Sequence, residues 1–217
     1  MTILPILINV LSGLMLVSVI LLISRRGLYT CINFFALHSA LLALVILAVA
    51  VGMGEPHLYV GFISTIILKV IIVPAALYWM IKEIKIKREV EFYINTTVSL
   101  LAAILMVVFS FYLVQNISNH VSVISETALA FAFAMILTGF FIVISRTQAV
   151  TQMLGFLIME NSLFLLITMT TFGIPLFIEA GISFDVVAAL LIMGIFLFRI
   201  NQTFSHINVS ELRGDRE

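Results

Sequence analysis

The chain has 217 residues, 63% hydrophobic and 10% charged, with eleven basic and eleven acidic side chains and a mean hydropathy of +1.25. Soluble domains are about 45–50% apolar and about 25% charged, so this composition excludes a water-soluble globular protein and indicates an integral membrane protein. The zero net charge gives no basis for a nucleic-acid partner, and the single cysteine, Cys31, excludes an internal disulfide and any Cys/His metal spacing.

A membrane span needs about 20 apolar residues. The first such run is 3–23. Arg25 and Arg26 follow it rather than precede it, which argues against a cleavable signal peptide. After the break Ser24-Arg-Arg-Gly27, a second run covers 28–51 and stops at Gly52-Met-Gly-Glu-Pro56. A third covers 58–81 and ends in the mixed-charge segment Lys82–Glu91, which reads as a solvated turn or a dock for a partner subunit or anionic lipid. Further runs cover 93–115, 126–145, 149–171 and 178–200, separated by Gln115–Ser125, Ser145-Arg146 and Phe172-Gly-Ile-Pro175. The sequence therefore predicts an all-α polytopic protein. It is a single transmembrane domain over 1–200 with seven helices and a polar tail over 201–217.

Orientation follows from Lys and Arg. Arg25, Arg26, Lys82, Lys85, Lys87, Arg88, Arg146, Arg199, Arg213 and Arg216 fall on the odd-numbered loops and the C-terminal tail; the even-numbered loops and the N-terminus hold none. This split places the N-terminus outside and the C-terminus in the cytoplasm. A weak internal repeat with an offset of 121 residues relates Ile23-Ser-Arg-Arg-Gly-Leu-Tyr-Thr to Ile144-Ser-Arg-Thr-Gln-Ala-Val-Thr. Helices one to three would then repeat as five to seven in parallel orientation.

Four ionisable residues lie at depth: His38, Lys69, Glu160 and Asp185. A charge at a helix centre costs roughly 2.5–3.5 kcal/mol on insertion scales, and such residues mark ion pathways or proton relays. Glu160 lies roughly 17 Å from the cytoplasmic end of its helix, near the midplane. Gln148, Gln152, Phe156 and Glu160 are spaced by four and share a face, so the two amides are candidates for a water path to the carboxylate. Gly155 allows a neighbouring helix to come close. Lys69 is too deep to reach either surface easily, and Pro74 removes the bond to the carbonyl of Val70 beside it, which predicts a kink. Glu179 sits at the outer mouth of the last helix, as an entry group or as a solvated interfacial acid. The competing reading of the buried charges is a static ion pair, Lys69 with Glu160 or Asp185, that fixes helix register. The competing reading of His38 is a hydrogen-bonded core residue. A retinal protein is excluded because the buried lysine is on the third helix and the last carries Asp185.

The segments Ile66-Ile-Leu-Lys69-Val-Ile-Ile-Val-Pro74, Gly155-Phe-Leu-Ile-Met-Glu160-Asn161, Glu179-Ala-Gly-Ile-Ser-Phe-Asp185 and Ile207-Asn-Val-Ser-Glu-Leu-Arg-Gly214 resemble the hydrogenase-4 component E family. These are membrane subunits of formate hydrogenlyase-type complexes built around a group 4 [NiFe]-hydrogenase. Helices five to seven are also similar to the small K-type subunit of respiratory complex I and the C subunit of Mrp antiporters. The resemblance implies a non-catalytic subunit that takes part in proton or Na+ translocation. It would hold no cofactor of its own, the NiFe and iron–sulfur centres residing in partner subunits. Those partners would be antiporter-like membrane subunits and a soluble hydrogenase-like arm. Glu160 matches the first membrane glutamate of the K-type subunit, and Asp185, one methylene shorter, stands at the second. The relay expected from sequence is thus Glu160, Lys69, Asp185 and His38. The alternatives are a structural assembly subunit of the same complex and a stand-alone cation/proton antiporter.

Overall fold

The structure, a computed structural model, describes residues 3–83, 94–117, 123–171 and 194–195. The predicted seventh helix with Glu179 and Asp185, the polar tail and most of the Lys82–Glu91 segment lie outside the described residues. Six helices among the described residues are long and apolar enough to cross a membrane.

The helices begin and end where the sequence has charge, glycine or proline. α1 (Ile3–Ser24) stops at Arg25-Arg26, and α2 (Leu28–Met53) starts after Gly27. α2 ends at Gly54, whose φ of +72° lets its N–H and that of Glu55 both return to the Ala50 carbonyl, at 3.0 and 3.3 Å. The third span is continuous in three parts: α3 (Leu58–Ser64), a π-helical segment (Thr65–Ile72) and α4 (Val73–Glu83). α5 (Thr96–Ile117) begins three residues later than the sequence suggests and ends two later. α6 (Glu126–Ser145) and α7 (Ala149–Thr171) have the predicted limits. Ser125 caps α6 by accepting from the Ala128 N–H at 3.2 Å.

The π segment has a chemical origin. Its bonds run five residues back, so the Val73 N–H donates to the Leu68 carbonyl. The next bond of that series would come from residue 74. Proline has no N–H to give, and the α register is equally broken there. The irregularity that the sequence places at Pro74 is accommodated on its N-terminal side, around Lys69.

α2 is central, touching α1, the whole third span and α7; α6 and α7 form the tightest pair. That pair closes on two glycines. A Cβ on Gly139 would lie 2.8 Å from the Gly155 carbonyl oxygen, and one on Gly155 would lie 2.9 Å from the Gly139 oxygen. Only hydrogen fits at both places, as expected of the small-residue contacts that join membrane helices. α5 is peripheral: Val98, Leu101, Leu105, Phe109 and Tyr112 all face outward. Such faces suit lipid, where apolar surface carries no penalty.

The short α1–α2 and α6–α7 connections meet. Gly27 and Arg146 are the two bridge-paired residues among those described. The Arg146 Nη2 donates to the Ile23 carbonyl at 2.8 Å, at the last turn of α1. A cation there neutralises the negative end of the helix dipole. Burial pulls the Arg146 guanidinium down to about 10, so it stays cationic at neutral pH.

Candidate functional site

Glu160 is the middle residue of α7, and Lys69 lies one residue short of the middle of the span Leu58–Lys82. Their side chains meet: Lys69 Nζ is 2.8 Å from Glu160 Oε1, with the side chains 3% and 10% exposed. Of the two acids the sequence offers Lys69, Glu160 is therefore its partner among the described residues. The Phe164 ring, one turn along α7 from Glu160, sits 5.8 Å from the ammonium and covers the pair on that side.

The lysine is held by the least regular backbone in the bundle. π-helical segments are rare and recur at functional sites, because they re-aim a side chain at the cost of helix stability. Over Thr65–Ile72 only Thr65 and Lys69 are buried, while Ile67, Ile71 and Ile72 face outward. The segment thus turns one amine inward and a wall of isoleucine outward.

Two neighbours extend the polar layer. Asn161 follows Glu160 and donates from Nδ2 to Ser39 Oγ on α2 at 2.9 Å; both residues are wholly buried. His38 precedes Ser39, is 1% exposed, and turns its Nδ1 toward α1, where Ser18 Oγ lies at 3.2 Å and the Met15 carbonyl at 3.3 Å. Lys69 is close enough to act on His38 electrostatically. The structure therefore gathers His38, Lys69 and Glu160 into one region. The seryl and asparaginyl members of the layer are absent from the sequence reading. Ser39 and Asn161 sit beside His38 and Glu160 in sequence, but small polar residues are common in membrane helices and only the helix rotation makes these two a pair.

Gln148 and Gln152 have a different setting. Thr151 Oγ1 donates to the Gln148 carbonyl at 2.8 Å, and Gln152 Nε2 donates to the Arg146 carbonyl at 2.8 Å. Gln148 belongs to the α6–α7 connection and Gln152 to the first turn of α7. Gln152 is eight residues from Glu160, about 12 Å along the helix. Phe156, between them on that face, is 38% exposed.

Comparison with known proteins finds relatives along almost the whole chain. An uncharacterized protein of Mycobacterium tuberculosis is 28% identical over 211 residues, covering 95% of this chain and 94% of its own. Hydrogenase-4 component E of Escherichia coli K12 is 24% identical over 205 residues, covering 94% of this chain and 95% of its own, and that of Shigella flexneri matches to the same extent. The chain is a homologue of hydrogenase-4 component E. No family model matches it, and no solved structure does.

Proposed function

We propose that this homologue of hydrogenase-4 component E is a non-catalytic subunit of a hydrogenase-like oxidoreductase complex, and that its Lys69–Glu160 pair takes part in moving protons while electrons flow elsewhere in the complex. The observation that carries the reading is that pair: an ammonium and a carboxylate in contact at mid-membrane depth, on a π-helical segment, with almost no exposure. Such a pair can hold its proton in two arrangements, as ammonium with carboxylate or as amine with carboxylic acid. A change of charge next to it, in this chain or in a neighbour, tips the balance. The ammonium already occupies the place that a sodium ion would take beside Glu160, which favours protons as the mobile species.

In this reading the chain lies in the inner membrane with its basic loops in the cytoplasm. Antiporter-like membrane subunits flank it, and a hydrogenase-like arm, holding NiFe and iron–sulfur centres, docks nearby. Asp185 and Glu179 would extend the path toward the outer side, and Gln148 and Gln152 would line an approach from the basic end.

The test uses the intact complex in inverted native-membrane vesicles, captured in parallel through a C-terminal tag. Glu160→Gln should lower the yield of the complex, as loss of one partner of a buried pair does, leave electron transfer in place in what assembles, and remove its proton movement. Normal proton movement per electron pair in Glu160→Gln overturns the relay. A second reading has its own support in the Asn161–Ser39 bond, which together with the ion pair would fix helix register. It expects Glu160→Gln to lower the amount of assembled complex while the remainder translocates normally. Recovery of the chain alone, without hydrogenase-like partners, would overturn both and favour an antiporter.

A further inference from the structure

We propose that Lys69 has a second buried station, formed by Nε2 of His38 and Oδ1 of Asn161, and that its ammonium alternates between this station and Glu160. The inference rests on the relay reading above and adds the place to which the charge goes when the ion pair opens.

The hydrogen bonds around His38 decide its tautomer. The Ser18 hydroxyl donates its one hydrogen to the Met15 carbonyl at 2.6 Å. Both groups near His38 Nδ1, the Ser18 oxygen and the Met15 carbonyl, are then acceptors. The Met15 carbonyl can only accept, so its approach to 3.3 Å assigns the hydrogen to Nδ1, and a neutral ring then presents Nε2 as a bare lone pair. That nitrogen is buried and has no hydrogen-bond partner among the described residues. Asn161 repeats the pattern. Its Nδ2 is committed to Ser39, and its Oδ1 is buried without a partner among the described residues. Two bare acceptors at one level of an apolar bundle are costly unless something uses them.

Lys69 is the buried donor at this level: its ammonium lies against Glu160, the residue before Asn161, and it acts electrostatically on His38. The Asn161–Ser39 bond locks α7 to α2 at the level where Glu160 precedes Asn161 and His38 precedes Ser39. The acceptors are thus each one residue removed from a group already in contact across the bundle. Lysine brings three N–H donors on a flexible four-carbon stem. The π segment that carries it has the weaker backbone bonding that a swing requires.

The exchange balances. The ammonium leaves the Glu160 carboxylate and donates to Asn161 Oδ1. It passes one proton to His38 Nε2, which becomes imidazolium as Lys69 becomes a neutral amine. Glu160, having taken a proton from a hydronium on its own side, returns it to the amine. His38 gives its Nε2 proton to a water molecule on the far side and is neutral again. One proton moves per cycle, N–H and O–H bonds alone are exchanged, and no electron is transferred.

The experiment compares Asn161→Leu, His38→Gln, Ser39→Ala and Glu160→Gln in the intact complex in inverted vesicles. It reads proton movement per electron pair and the infrared carboxyl band of Glu160, assigned by its loss in Glu160→Gln. Asn161→Leu should lower proton movement about tenfold, the scale of one lost hydrogen bond in a rate-setting step, and His38→Gln, which removes the base that receives the proton, should abolish it. The turnover-dependent change in the carboxyl band should vanish with them. Ser39→Ala, which breaks the inter-helix bond and keeps Oδ1, should lose no more than about twofold. Equal losses in Ser39→Ala and Asn161→Leu would make Asn161 a packing residue and overturn the station. So would normal movement in His38→Gln, which decides the matter even where Asn161→Leu fails to assemble. Normal movement in Glu160→Gln instead overturns the relay itself.

Discussion

Replacing Lys69 by Met and Glu160 by Gln, singly and together, separates what the ion pair does for the fold from what it does for transport. The two side chains are 3% and 10% exposed and 2.8 Å apart, so each is the compensation for the other's burial. Removing one partner of such a pair costs roughly 3–5 kcal/mol, whereas replacing both by neutral groups of similar volume is about neutral or stabilising. At about 1.4 kcal/mol per factor of ten, a single replacement should shift the folding equilibrium by about two to three and a half orders of magnitude. The double replacement should recover most of it. Thermal unfolding of the detergent-solubilised complex and the yield of assembled particle read the stability half. Proton uptake by inverted vesicles reads the other. The expected pattern is non-additive for stability and flat for transport: the double variant assembles well and moves no more protons than either single one. A double variant that both assembles and translocates normally would refute the relay and leave the pair a structural device. Additive losses of stability would refute the contact itself.

Pro74→Ala restores an N–H just beyond the π segment and allows the span to relax toward a regular α-helix. A slip of one residue turns a side chain by about 100°, so Lys69 should lose Glu160, and proton movement should fall several-fold while helical content in circular dichroism is unchanged. Gly155→Leu forces side-chain volume against the Gly139 carbonyl and Ile142, where even a Cβ would lie within 2.9 Å of both. It should cost about 1–3 kcal/mol, seen as a lower melting temperature. Arg146→Gln removes the charged donor to the Ile23 carbonyl. A loss of about 1.5–3 kcal/mol is expected, with a shift in thermal unfolding larger than that of Arg25→Gln, whose side chain is exposed. Cys31 is 1% exposed beneath the α1–α2 connection. It should resist a maleimide in folded membranes and react on denaturation, as followed by mass shift.

Much of the helical order is legible because it depends on local composition. Arg25-Arg26, Gly52–Pro56 and Ser145-Arg146 end apolar runs, and a bilayer leaves few other places for charge to go. Gly155 is legible as a contact because a glycine amid large apolar residues has few other uses there, and it meets Gly139. Glu160 and Lys69 stand out as costly residues at the same depth, although sequence leaves open whether Glu160 or Asp185 receives the lysine. What sequence does not give is rotation about the helix axis. The meeting of Ser39 with Asn161, and of His38 with Ser18, depends on how α2 turns between α1 and α7. A helix that is apolar all round carries no amphipathic stripe from which that turn can be read. The π segment is half-visible: Pro74 announces a defect, but not that eight residues before it absorb the strain.

The placement of the polar groups also argues about direction. Glu160 is the centre of α7, Lys69 is almost the centre of its span, and His38 lies just short of the middle of α2. Groups stacked along one helix would carry charge from face to face. Groups gathered at one depth on three helices hand it sideways, in the plane of the membrane. Along α7 toward the basic end, the side chain one turn below Glu160 is Phe156, and the first amide, Gln152 in the first turn of α7, is about 12 Å away. Among the described residues, then, charge at the Lys69–Glu160 pair has shorter polar routes across the bundle than through it. A layer of this kind suits a link between neighbouring membrane subunits better than a self-contained transporter. It is also why the co-purifying partners, rather than transport by the purified chain, are the more informative first result.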